Sequence, residues 1–126
     1  MKIENIKFKA KRLDNGEWII GSFVVMKIPA LSKTTIGIVA AGGATLHEID
    51  TSTVCQFTGL KDCKGKEIFE HDLIHFVGHK PTGEVIWSEK DYGFMVACVN
   101  EPLYWLSDVL EIGKIERVCN KFDKEK

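Results

Sequence analysis

The sequence predicts a mainly β protein, an N-terminal antiparallel β region followed by a small barrel or sandwich of short strands. Three observations carry this expectation. Polarity alternates from Ile6 to Lys11, an Asn-Gly pair follows at hairpin spacing, and beyond Thr53 short apolar runs recur between Gly, Pro and Asp. The chain has none of the alternating strands and long helices that build parallel α/β units.

In the first strand Ile6, Phe8 and Ala10 fall on one side and Lys7, Lys9 and Lys11 on the other. Asn15-Gly16 tolerates the positive φ of a tight hairpin, so Trp18 to Met26 is expected to return antiparallel to that strand. Pro29 lacks an N–H for a ladder, which makes Ile28 to Lys33 a loop. Short strands over Thr34 to Val39 and Thr45 to Ile49 flank the glycine pair Gly42-Gly43. Asp50-Thr51-Ser52-Thr53 suits either a linker or a tight turn.

After it, strands are expected at Val54 to Phe57, Leu73 to Val77, Glu84 to Trp87, Phe94 to Val99 and Tyr104 to Leu106. Gly59 and Gly65 bracket a polar connection, and Pro81-Thr82-Gly83 forms a turn. One short helix is expected near Leu106 to Leu110, capped by Ser107 or Asp108 and ending before Gly113. The division is then residues 1–53 as the N-terminal β-hairpin region, 54–119 as the later domain, and 120–126 as a polar tail that frays.

A chain of 126 residues, 44% hydrophobic and 28% charged, is long enough for one ordinary core or a core with a small appended subdomain. No run reaches the roughly 18 apolar residues of a membrane helix, and the first residues lack a secretory signal. A soluble protein of the bacterial cytoplasm is expected. The four cysteines, Cys55, Cys63, Cys98 and Cys119, show no CxxC spacing and read as reduced, buried thiols. The net charge of -1 argues against a surface devoted wholly to nucleic acid. Charge is nevertheless uneven: residues 1–36 carry seven Lys/Arg against three Asp/Glu, and residues 81–113 carry one against six. Such asymmetry marks either a basic binding face or two regions that attract each other within or between chains.

Gln56-Phe57-Thr58-Gly59-Leu60-Lys61-Asp62, followed by Gly65-Lys66-Glu67-Ile68-Phe69-Glu70 and Asp72-Leu73-Ile74, resembles the signature of the YopX protein family of phages and prophages. The likeness is strongest over residues 53–88, with looser agreement at Phe8-Lys9-Ala10 and Gly83-Glu84-Val85. It implies a β-rich protein whose later half is a small SH3-like barrel, and it implies no established activity. The residues of the motif themselves read as structural: Gly59 and Gly65 supply turn conformations, Ile68 and Phe69 enter the core, and Asp72 bonds nearby amides. Where the family usually has Gly before that aspartate, this chain has His71, a residue type that tolerates positive φ.

Four constellations bear on chemistry. His71, His75 and His79 recur every fourth residue near Cys55 and Cys63, but on a strand rings so spaced are too far apart to share one ion, so no metal is expected. Asp62, Glu67, Glu70 and Asp72 are interleaved with Lys61, Lys64 and Lys66, as in a solvated turn, rather than converging for magnesium-dependent cleavage. No nucleophile elbow, phosphate-cradling loop or dinucleotide fingerprint occurs, and nothing places a histidine beside a thiol. No catalytic residues and no cofactor are therefore expected.

Lys7, Lys9, Lys11 and Arg12 on the first strand, with Trp87, Tyr92 and Phe94 near a later hairpin, form a candidate nucleic-acid platform of phosphate-tracking cations and stacking rings. The plainer reading makes the lysines an outward strand face and the rings core. A non-enzymatic module that binds a protein partner or itself is the expected function. A nucleic-acid-binding accessory protein in phage replication or gene regulation is the alternative. Neither membrane nor small-molecule substrate is expected as a partner.

Overall fold

A computed structural model describes residues 2–76 and 83–123. The chain runs through a 3-10 turn (Ile3–Asn5), β1 (Phe8–Arg12), β2 (Trp18–Ile28), a second 3-10 turn (Pro29–Leu31), β3 (Lys33–Ala40), β4 (Leu46–Lys61), β5 (Glu67–Phe69), β6 (Asp72–Phe76), β7 (Gly83–Ser88), β8 (Gly93–Ala97), β9 (Tyr104–Trp105), α1 (Leu106–Ile112) and β10 (Ile115–Asn120). It is mainly β, with two antiparallel sheets. It divides into two units, Met1–Phe57 and Thr58–Lys126. Among the described residues no helix is long and apolar enough to cross a membrane.

In the first unit the Asn15-Gly16 hairpin forms as the sequence predicts. Gly16 takes φ 70° and donates its N–H to the Arg12 carbonyl at 2.9 Å, while Asn15 Oδ1 accepts the Glu17 N–H at 2.9 Å. β1 pairs with β2 from Phe8↔Gly21 to Lys11↔Trp18, β2 with β3, and β3 with β4. β4 also pairs back on β1, so these four strands close into a ring of ladders. Ala10, Ile19, Ile38 and Ile49 fill it, with Phe8, Ile36, Ala40 and Val54 packed against them. Pro29 ends β2 as predicted, and Ser32 at φ 48° turns the chain into β3.

Two expected strands, Thr45 to Ile49 and Val54 to Phe57, are one. β4 continues through Asp50–Thr53, where the β1 register jumps from Lys9↔Cys55 to Lys11↔Asp50. The jump is a bulge that the punctuating residues satisfy themselves. Thr53 Oγ1 accepts the Lys11 N–H at 2.9 Å and donates to the Asp50 carbonyl at 2.7 Å, and Asp50 Oδ1 accepts the Ser52 N–H at 3.1 Å. Residues that sequence reading takes for a linker or turn thus sit inside a strand.

In the second unit the sheet order is β10-β6-β7-β8-β9. Strands β6, β7, β8 and β9 correspond to the expected ones, although β8 stops at Ala97, short of the expected Val99. Helix α1 lies where predicted and ends at Gly113, but Trp105 occupies its N-cap without a side-chain bond, so neither Ser107 nor Asp108 caps it. Strands β5 and β10 are additions to the expected set. Ladders closing this sheet into an SH3-like barrel are not among the described pairings. The core is Ile68, Ile74, Val85, Val96, Leu106, Val109 and Ile115.

The expected fraying from Asn120 is corrected as far as Asp123. Asn120 is buried and closes β10, its Nδ2 donates to Asp72 Oδ1 at 2.9 Å, and Lys121 N–H donates to the His71 carbonyl at 2.9 Å. Val77, His79 and the Pro81-Thr82 part of the expected turn lie outside the described residues.

Candidate functional site

The two buried acids of the YopX-like segment, Asp62 and Asp72, are engaged by groups of the second unit itself. Asp62 is buried; its Oδ1 accepts the Lys64 and Lys66 N–H groups, both at 2.9 Å, and its Oδ2 accepts the Arg117 N–H at 2.8 Å. Burial pushes this carboxyl upward, but the bonds from Arg117, Lys66 and Lys64 outweigh it and hold the group below its ordinary value. A carboxyl lowered in the folded state stabilises the fold above the unfolded-state value of about 3.9, and that stability is lost as pH falls through the folded value. Asp62→Asn is therefore expected to destabilise at neutral pH and to flatten the acid limb of the unfolding curve below about pH 4, read by circular dichroism against pH.

Asp72 is a second hub. Its Oδ2 accepts the Phe69 N–H at 2.8 Å and Arg117 Nε at 2.9 Å, while Oδ1 takes Asn120 Nδ2. His71, at φ 69°, occupies the left-handed position expected of it. Its Nδ1 lies 2.9 Å from Glu84 Oε2 and its Nε2 3.6 Å from Glu70 Oε2, and its ring meets Phe122 edge-on. Among the described residues no three His, Cys, Asp or Glu side chains are grouped so as to hold a metal ion.

The candidate nucleic-acid residues fall in different units. Lys7, Lys9, Lys11 and Arg12 lie on or beside β1 and sit close to the first unit's own groups. Lys7 Nζ stands 4.8 Å over the Phe57 ring, Lys9 and Lys11 stand 4.6 and 5.3 Å over Trp18, and Arg12 pairs with Asp14. Lys9 is buried, so the alternation does not place every lysine in solvent. Trp87 in β7 packs edge-on against Phe94, and Tyr92 stands exposed in the β7–β8 turn. Trp87 and Trp105 are also partly exposed, which corrects the expectation that the tryptophans of so small a domain are core.

Two apolar surfaces stand out instead. The first is an arm. Among the described residues β1 covers β2 as far as Gly21 and β4 covers β3 at Gly37 to Val39, so from Val25↔Ile36 to Ile28↔Lys33 the described ladders of the hairpin lie within itself. Val25 and Met26, on opposite faces, are 50% and 45% exposed, and Leu31 at the tip is 68% exposed. Two strands alone are marginal in water, and apolar side chains on both faces invite a cover.

The second surface is a cup in the second unit. Val96, Cys98, Glu101, Tyr104, Val109 and Ile112 line a cavity of about 280 Å³ between β8, β9 and α1. Ile112 is 80% exposed at its rim. Burial, assisted by the charge of Glu101, pushes the Cys98 thiol up, away from the thiolate that nucleophilic chemistry requires. The expectation of buried thiols holds at Cys55 and is corrected elsewhere: Cys98 and Cys119 are half-buried and Cys63, in a polar turn, is exposed. The sequence signal for both surfaces lies in the charges. Trp18 to His47 contains no Asp or Glu, and Val96 to Gly113 contains no Lys or Arg.

A family model described as YopX protein matches residues 7–123. No curated protein and no solved structure matches the chain.

Proposed function

The chain belongs to the YopX protein family, and on that premise we propose that it is a phage- or prophage-encoded, non-enzymatic interaction module of the bacterial cytoplasm, binding a protein partner or a second copy of itself. The observation that carries this reading is the acidic apolar cup. It combines a cavity of about 280 Å³ with exposed apolar residues and one charge sign, the chemistry of a protein-recognition patch more than of a catalytic centre. The acids that would serve metal or acid-base chemistry, Asp62 and Asp72, are engaged by backbone amides and by Arg117. Recognition then works by surface complementarity, with the cup seating an apolar group and Glu101 selecting a basic neighbour.

The nucleic-acid reading rests on the four cations at Lys7, Lys9, Lys11 and Arg12. It requires an affinity that falls steeply with salt and vanishes when Lys7, Lys9 and Lys11 become Glu.

A pull-down of the tagged protein from phage-infected host lysate, with and without nuclease, separates the two. A specific protein retained in both samples is expected. Retention of nucleic acid, or partners that vanish after nuclease, would replace the module by the nucleic-acid reading.

A further inference from the structure

We propose that the arm of one copy docks into the cup of a second copy, Leu31 and its apolar neighbours entering the cavity between β8, β9 and α1 while Lys27 and Lys33 face Glu101 and Glu111. This deepens the interaction-module reading and rests on it. The first support is charge complementarity. The acid-free stretch Trp18 to His47 carries Lys27 and Lys33, and the base-free stretch Val96 to Gly113 carries Glu101, Asp108 and Glu111. Unlike charges on two surfaces steer their encounter, and like charges hold arm from arm and cup from cup.

The second support is shape and polarity. The arm is a two-stranded projection with a 68% exposed leucine at its tip, and the cup is a concavity of about 280 Å³ with an 80% exposed isoleucine at its rim. Each surface exposes what the other would bury. A projection on one copy fitting a hollow on another is a heterologous contact; it closes where two copies exchange arms and otherwise propagates head to tail.

Sedimentation of the full chain over a wide concentration range, with Leu31→Asp and Ile112→Lys, tests the pairing. Both positions are at the surface, and circular dichroism verifies that each variant is folded. The wild type is expected to self-associate, more weakly as salt rises. Each variant is expected to raise the dissociation constant at least about tenfold, since the introduced aspartate would meet an acidic cup and the introduced lysine a basic arm. Mixing the two variants is expected to recover association, because the wild-type arm then finds the wild-type cup and the introduced aspartate finds the introduced lysine. A monomeric wild type, variants without effect, or a mixture that fails to recover would each overturn the pairing.

Flotation with vesicles containing anionic phosphatidylserine provides the other half of the test. Binding by a monomeric wild type that is lost in Leu31→Asp would assign the hairpin to a lipid surface and overturn the proposal. A monomeric wild type that still retains a protein after nuclease treatment would overturn only the arm–cup pairing. The module reading fails separately, when the wild type is monomeric and that pull-down retains none.

Discussion

Asp72→Ala is expected to lower the unfolding free energy by roughly 3–5 kcal/mol, the cost of leaving buried donors and a paired cation without their carboxylate. Asp72 is fully buried and binds three groups on two segments of the second unit: the Phe69 amide on β5, and on β10 the Arg117 guanidinium and the Asn120 side-chain amide. Removing it strands all three at once. Asp72→Asn keeps the shape and one acceptor but sets an NH₂ against donors, so a loss of about 2 kcal/mol is expected. Urea unfolding followed by tryptophan fluorescence measures both. A double-mutant cycle with Arg117→Met isolates the ionic part. A shift under about 1 kcal/mol for Asp72→Ala would mean that the hub is not what ties β10 to the β5–β6 corner.

Gly21→Val is expected to cost about 3 kcal/mol or more, the upper range for overpacking, because the obstacle is backbone. Gly21 pairs with Phe8 on one side and Ala40 on the other. A Cβ built there runs into the Val39 carbonyl oxygen and lies 2.9 Å from the Ala40 Cα. The ring of strands must open to admit it. Gly42→Ala supplies the contrast: its φ is +77° but nothing lies within 4 Å of the added Cβ, so only left-handed strain of about 1–2 kcal/mol is expected. Thermal unfolding of the two variants, with amide exchange at β2 and β3 to localise the damage, checks the order. Equal losses would show that close approach at Gly21 is not limiting.

The legible parts of the fold are those decided locally. Asn15-Gly16 fixes its hairpin by its own φ preference, and Pro29 stops β2 by lacking a donor. Asp72 accepts an amide three residues away, which is the structural role the sequence predicts for it. The solvated turn expected around the acids is corrected at Asp62 and Asp72, both buried, because Asp62 gathers the Lys64, Lys66 and Arg117 amides and Asp72 pairs with β10. The misreadings come from distant partners. Asp50-Thr51-Ser52-Thr53 has turn composition, yet Thr53 accepts the Lys11 N–H of β1 and donates to the Asp50 carbonyl, holding a bulge. β10 has its buried residues at Ile115 and Asn120 with half-exposed ones between, a pattern without alternation because a bulge interrupts its pairing with β6. Asn120 looks like a tail residue until Asp72 stands beside it.

The surface is harder to read than the fold. Phe23-Val24-Val25-Met26 has the composition of a buried strand, and only the lengths of the neighbouring ladders reveal that its outer end pairs with no third strand among the described residues. Lys9 fits an outward face by alternation but lies buried near Trp18. Such facts depend on where other strands stop, which no local pattern encodes.

The ladder from β4 back to β1 sets Phe8 opposite Gln56, almost the full length of the first unit apart in the chain. During synthesis β1 and β2 can zip as soon as they emerge, because only a tight turn separates them, whereas the ring waits for its last strand. Until Ile49 and Cys55 leave the ribosome, Ala10, Ile19 and Ile38 have no closing wall and β1 presents a bare edge. The nascent chain thus passes through a stage in which β1 to β3 are made but unsheltered. That interval, rather than the finished molecule, is where a chaperone would find something to hold.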